Sequence, residues 1–124
     1  MTDYKEVYLA STKAYQERDI DKMMEYVTDE FSWFNIVPDG AMQMASSKEQ
    51  AKHGMTMLFD NLDYISGHVD FAKQFGNLLV TVETDRIRQE GKEVIMHRLS
   101  LYECKDNKLD RCWSFPIEDD ESDS

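Results

Sequence analysis

The spacing of apolar residues changes along this chain from helical to alternating, and the changes mark out its elements. Residues 4–17 carry Tyr4, Val7, Tyr8, Ala14 and Tyr15 near helical spacing, with Val7, Ala14 and Tyr15 as the i, i+7, i+8 stripe of an amphipathic helix. Asp19 reads as the N-cap of a second helix over Ile20 to Tyr26, whose buried side is Ile20, Met23, Met24 and Val27. Phe31 to Ile36 follows as a strand rich in aromatic and β-forming residues, closed by the turn Pro38-Asp39-Gly40. Ser46 or Ser47, with Glu49 and Gln50 close behind, opens a third helix that places Ala51, Met55, Leu58, Phe59 and Leu62 on one face. Gly54 inside it costs some helix stability and permits close packing.

From Tyr64 onward the pattern is that of strands. Segments 64–75, 77–90, 92–104 and 108–115 are separated by Gly76-Asn77, Gly91 and Asp106-Asn107, which predicts consecutive antiparallel hairpins. No helical stretch lies between them to make a parallel crossover. The order is ααβ(β)αββββ, an α+β domain with three helices from the N-terminal half on one face of a curved sheet. Residues 1–116 form one domain. Residues 117–124 are expected to be a disordered acidic tail, since Glu118 to Ser124 contain no apolar residue. Such a tail serves solubility or acts as an electrostatic arm for a basic partner.

Composition narrows the classes of function. A chain of 124 residues with 41% hydrophobic residues buries a single core without metals or disulfides. The net charge of −11 repels phosphate backbones, so a nucleic-acid partner is not expected. Outside the tail, 14 basic face 20 acidic residues, a moderate excess. No stretch approaches the ~18 apolar residues of a membrane span, and the N-terminus lacks the basic and apolar regions of a secretory signal; the expectation is a cytoplasmic protein with no membrane partner. Cys104 and Cys112 flank the Asp106-Asn107 turn. A two-residue hairpin there sets Cys104 opposite Leu109 and Cys112 opposite Leu101, leaving the thiols ~10 Å out of register and too far apart to bridge.

Three local patterns carry a resemblance. The first is Arg18-Asp19-Ile20-Asp21, Met23-Met24, Tyr26, Asp29-Glu30 and then Phe31 to Asn35; the second is Ser47-Lys48-Glu49-Gln50; the third is the closing hairpin Leu101 to Trp113. In that order and spacing, over about residues 4–115, they resemble the nuclear-transport-factor-2-like (NTF2-like) superfamily, in its SnoaL-like and ketosteroid-isomerase-like branch. The resemblance implies a cone-shaped half-barrel of mixed but mainly antiparallel strands, wide enough for a small apolar or aromatic molecule, and a homodimer through the outer sheet face. It implies no cofactor. Placing the isomerase's working groups on this chain puts the general base at Asn35, the helix-one tyrosine at Ser11 with Tyr15 one turn further on, the oxyanion acid near Ser100 and a supporting tyrosine at Met55. All four positions depart from the family pattern, and an amide at Asn35 has no titratable carboxylate.

Strand alternation then suggests a site. With Asn35 inward, Phe31 and Trp33 point the same way, backed by Met24 and Met55. The alternatives are an aromatic, thioether-lined cavity with one amide to orient a ligand, or ordinary core. Met96, Arg98, Ser100, Tyr102 and Cys104 share one face of their strand and His97 lies on the other. Arg98 is either a partner for a ligand carboxylate or enolate or an ion-pair partner of Asp85 or Asp70. Epoxide hydrolases of this fold use an Asp-Arg-Asp set, which brings Asp70, Glu83 and Asp85 into consideration, although strand parity leaves Asp70 and Asp85 in doubt as inward groups. Cys112 reads as a small core residue or a pocket residue. His53, His68 and His97 are isolated, and no metal arrangement is visible. The candidate working residues are Asn35, Arg98 and Tyr15; the candidate ligand contacts are Phe31, Trp33, Met24, Met55, Phe59, Ser100 and Cys112. Two functions fit: a SnoaL-like small-molecule-binding domain with cofactor-free isomerase, cyclase, dehydratase or epoxide-opening chemistry, or a non-catalytic ligand-sequestering or dimerising domain.

Overall fold

A computed structural model describes residues 2–119. Helices α1 (Tyr4–Gln16) and α2 (Ile20–Met24) precede strands β1 (Val27–Val37) and β2 (Gly40–Ala45); α3 (Lys48–Asn61) then leads into β3 (Asp63–Phe75), β4 (Leu78–Gln89), β5 (Lys92–Lys105) and β6 (Lys108–Asp119). The six strands form one sheet in the order β2-β1-β6-β5-β4-β3. Every neighbouring pair is antiparallel except β1 with β6, which are parallel. The architecture is α+β, with three helices packed on a curved, unclosed sheet.

Local chemistry sets the helix starts. Asp3, Asp19 and Ser47 each accept a hydrogen bond from the backbone N–H three residues on, satisfying a donor that the helix itself leaves unpaired. At α3 the Gln50 side chain returns a 2.8 Å contact to the N–H of Ser46. The second helix ends at Met24 instead of Tyr26, because the chain turns directly into β1 at Val27, four residues before the aromatic strand foreseen at Phe31.

The buried side of α1 differs from the apolar stripe. Tyr8, Ser11, Thr12, Ala14 and Tyr15 are buried, while Val7 is only partly so. Two hydroxyl residues and two tyrosines therefore face the sheet. The core continues through Met23, Met24, Val27, Phe31, Ala51, Leu79, Leu109 and the two cysteines.

Register across the sheet sorts its two faces. On the concave face Leu79, Tyr102, Cys112 and Trp33 form one row across β4, β5, β6 and β1, and Thr81, Ser100, Ser114 and Asn35 form the next. The row after that pairs Glu83 with Arg98. On the convex face Phe71, Val82, Leu99 and Phe115 run across four strands. An irregularity between Glu103 and Cys104 sets Cys112 opposite Tyr102, where an unbroken hairpin would have set it opposite Leu101. Both thiols are free and buried. The last strand runs to Asp119, three residues into the segment expected to be an acidic tail; residues 120–124 of that tail lie outside the described residues.

Candidate functional site

The helices close over the concave face and leave two adjoining cavities. The larger, about 80 Å³, is bounded by Met24 of α2, Phe31 and Trp33 of β1, Met55 of α3, Arg98 of β5 and Cys112 of β6. The smaller, about 60 Å³, lies deeper along α1 and is bounded by Tyr8, Thr12, Tyr15, Glu83 and Arg98. Ser11, Met23, Met55, Arg98 and Tyr102 border both. One cavity is apolar and sulfur-rich, the other polar, and Arg98 stands where they meet.

The polar end is built by alternation in β4. Leu79, Thr81, Glu83, Asp85 and Ile87 are all buried, so two consecutive inward positions carry carboxyl groups. The Tyr8 hydroxyl donates to Glu83 Oε1, and the Tyr15 hydroxyl makes a long 3.5 Å contact to Asp85 Oδ2. Gly67 on β3 lies directly across from Asp85; a methyl at Gly67 would overlap Asp85 Oδ1 and sit 2.5 Å from the Tyr64 hydroxyl. The absence of a side chain at Gly67 makes room for that carboxyl.

Burial pushes both carboxyls above the ordinary carboxylate range, and the opposing charge of Arg98 and the tyrosine hydrogen bonds only partly counter it. Burial alone would lower Arg98, but the surrounding Tyr15, Glu83 and Asp85 outweigh it and hold the guanidinium firmly protonated. Tyr8, Tyr15 and Tyr102 are raised first by desolvation, so all three keep their protons. The cluster thus combines one fixed cation, two carboxyls whose proton affinity is increased and phenolic donors, in a site largely shielded from water. Such a set can hold a proton, pass it on and stabilise a developing negative charge.

The residues singled out from sequence are distributed as follows. Met24, Phe31, Trp33, Met55, Arg98 and Cys112 border the larger cavity, and Tyr15 borders the smaller. Ser100 borders neither but bonds the Ser114 hydroxyl, 3.2 Å away, which does border the larger one. Phe59 packs on Tyr15 with ring centroids 5.4 Å apart. Asn35 shares the concave row with Ser114 and Ser100, yet it borders neither cavity. Asp85, doubtful as an inward group, points inward. Asp70 points outward, where His68 Nε2 lies 2.8 Å from its Oδ1 and the Thr84 hydroxyl donates to its Oδ2 at 2.5 Å. Glu83, considered with Asp70 and Asp85 only through the epoxide-hydrolase resemblance, is not among the candidate working residues, and Tyr8 reads from sequence only as an apolar position of the first helix. The signal for Glu83 is an acidic pair two apart on the parity of Leu79 and Ile87, with Arg98 directly across from Glu83 on β5. Burial raises Cys104 to about 11 and Cys112 to about 12, so both stay thiols and neither is an activated nucleophile. Among the described residues no three His, Cys, Asp or Glu side chains gather as metal ligands, and no helix is long and apolar enough to cross a membrane.

No family model and no curated protein matches the chain by sequence. Solved structures do match over nearly all of it. A SnoaL-like polyketide cyclase from Mesorhizobium loti, so described provisionally, aligns at a TM-score of 0.72 and 17% identity, covering 90% of this chain and 97% of that one. The chain has the NTF2-like fold. An LEH-like epoxide hydrolase of M. tuberculosis shares this NTF2-like architecture at a TM-score of 0.75 and 13% identity over 92% and 82% of the two chains. TerC, crystallised with polyporic acid, does so at 0.75 and 16% over 94% and 91%.

Proposed function

We propose that this NTF2-like domain binds a small apolar or aromatic molecule in its cone and performs cofactor-free proton transfer on it. The observation that carries the reading is the position of Arg98, with an apolar cavity on one side and two buried carboxyls of raised proton affinity on the other. Neighbours of the same fold support it: one is described as an epoxide hydrolase and another was crystallised with a small molecule. The ligand's ring or chain lies against Phe31, Trp33, Met24 and Met55, and its carbonyl or hydroxyl oxygen faces Arg98. Glu83, which borders the smaller cavity beside Arg98, accepts a proton from the ligand and returns it, while the guanidinium holds the oxygen that gains negative charge. Tyr8 orients Glu83, and Tyr15 orients Asp85. The working carboxyl is thus assigned to β4; Asn35, on the β1 row beyond the cavity, orients at most a ligand that extends past Ser114.

A panel of steroids, polyketides and aromatic acids, tested by thermal shift, examines the binding step. A ligand at ~100 times its Kd adds about 2.7 kcal/mol to stability, a readily measured rise in Tm. Glu83→Gln should retain the Tm rise and lose turnover of the same compound. A panel in which no member raises Tm sinks the pocket reading.

A second observation favours a homodimer. The convex row of Phe71, Val82, Leu99 and Phe115, of which Phe71, Leu99 and Phe115 are exposed, continues to Ile117 and forms an apolar surface that single soluble domains rarely leave uncovered. A second copy applied face to face covers it isologously. Sedimentation equilibrium should give twice the 14.6 kDa chain mass, and Leu99→Lys should return it to one chain; a monomer at tens of micromolar wild-type protein counts against this reading. The same dimer without turnover is the alternative function, a ligand-sequestering or interaction domain, favoured if Glu83→Gln changes nothing.

A further inference from the structure

The turn joining α1 to α2 contains an arginine where a glycine would be easier. Asp19 N–H donates to the Ala14 carbonyl at 2.9 Å and Arg18 N–H to that of Tyr15 at 3.0 Å, the paired bonds of a Schellman end. The left-handed residue of that motif is Arg18, with φ 60°, a conformation that a Cβ disfavours. Its side chain has an unusual seat. The guanidinium carbon lies 4.0 Å from the ring centre of Tyr64, 4.1 Å from that of Phe59 and 5.3 Å from that of Tyr15. These rings come from β3, α3 and α1, and Tyr15 stands 5.4 Å from Phe59 and 5.7 Å from Tyr64, which makes a three-sided box.

Two features make the box more than a resting place for a surface arginine. First, among the described residues no carboxylate lies within ion-pair distance of Arg18, so ring faces hold it, and ring faces attract a cation without demanding the hydrogen-bond geometry of a fork. Second, the box backs onto the acid end of the cavities. Tyr15 borders the smaller cavity and contacts Asp85, and the Tyr64 hydroxyl, buried with no hydrogen-bond partner among the described residues, lies across the Gly67 gap from the same carboxyl. The cavities as they stand are each smaller than the ~150 Å³ that accommodates benzene, so a larger ligand needs part of the wall to move.

We propose that Tyr15, Phe59 and Tyr64 form a site for a small organic cation, that Arg18 fills it as an internal plug, and that a ligand bearing a guanidinium or quaternary ammonium group takes it when Arg18 swings out. Arg18 sits on a turn and can leave without unwinding either helix. The inference rests on the box and holds whether or not the cavity behind it is catalytic.

Arg18→Gly is a suitable probe, because glycine relieves the left-handed backbone and leaves the box intact. Wild type, Arg18→Gly and Arg18→Gly/Phe59→Leu are titrated with tetramethylammonium chloride, and separately with guanidinium chloride in the millimolar range, against sodium chloride at equal ionic strength. NMR of the Tyr15, Phe59 and Tyr64 ring resonances reports binding. Saturable shifts are expected in wild type and in Arg18→Gly, with a Kd at least about tenfold lower in the latter, and they should be lost in the double variant. Equal affinity in wild type and Arg18→Gly overturns the plug. Saturation in Arg18→Gly with none in wild type overturns displacement, and no saturation in Arg18→Gly, or saturation kept in the double variant, overturns the site.

Discussion

Replacing Arg98 with methionine should cost about 1–3 kcal/mol of stability at pH 7, because the half-buried guanidinium is the main opposing charge for the buried Glu83 and Asp85 without forming a direct ion pair with either among the described residues. Methionine fills much of the same volume, so the loss reports charge more than packing. Arg98 is the largest influence lowering the proton affinity of both Glu83 and Asp85. Without it, the two carboxyls must either bury uncompensated charge or take up protons. Both groups already bind protons more tightly in the folded than in the unfolded chain, and the variant strengthens that difference. The contribution is therefore fully present below the ordinary carboxyl range near pH 4 and is lost as pH rises through the folded values. Urea unfolding at pH 7 and at pH ~4.5 should show the gap between wild type and Arg98→Met narrowing on acidification. A gap that widens in acid, or no gap at pH 7, would mean that Arg98 does not compensate these carboxyls. Arg98→Met/Glu83→Gln should recover part of the loss, because it removes one of the two charges left without a partner.

In β5 alternation separates Arg98, Ser100 and Tyr102 from His97, but the apolar residues Ile95, Leu99 and Leu101 lie on the parity opposite Arg98, so hydropathy alone would bury the wrong face; the inward position of Arg98 followed from the resemblance at Ser100 and agrees with the observed pairing. In β4 both parities are apolar: Leu79 and Ile87 share the inward face with Glu83 and Asp85, while Val80 and Val82 lie on the other. A strand with apolar residues on both sides does not declare its buried face, because here the convex face is apolar as well. Asn35 shows a different limit. It lies on the concave row opposite Ser114, but how far along a strand the helices leave a cavity depends on sheet curvature, which no local pattern encodes. The register shifts beside Cys104 and at Val69–Phe71 likewise have no turn or glycine signal at their positions in the sequence. Arg18 was legible only as part of a family motif; its box needs residues 15, 59 and 64 brought together by the fold.

Gly67→Ala should be the most costly single-methyl addition in the molecule, at about 2–3 kcal/mol, near the upper end of overpacking penalties. Most added methyls find room when a flexible neighbour moves aside, but here neither neighbour can do so cheaply. The Cβ would overlap Asp85 Oδ1, and it would stand 2.5 Å from the Tyr64 hydroxyl, whose ring is held between Arg18 and Tyr15. Asp85 is only 4% exposed, so a displaced carboxyl has to go deeper into the protein or push against Tyr15. The backbone of Gly67 adds a further constraint, since its carbonyl accepts a 3.0 Å hydrogen bond from Gln16 Nε2 at the end of α1, and a shift of β3 would strain that link between helix and sheet. Denaturant unfolding with an unchanged m-value would identify the loss as native-state strain. Combining Gly67→Ala with Asp85→Ala tests the cause directly: the second truncation makes the space that the methyl needs, so the double variant should lose at least ~1 kcal/mol less than the two single losses together. If the losses simply add, or if Gly67→Ala alone costs under ~0.5 kcal/mol, the Asp85 carboxyl does not occupy the gap opposite Gly67, and the acid end of the cavity has to be rebuilt around Glu83 alone.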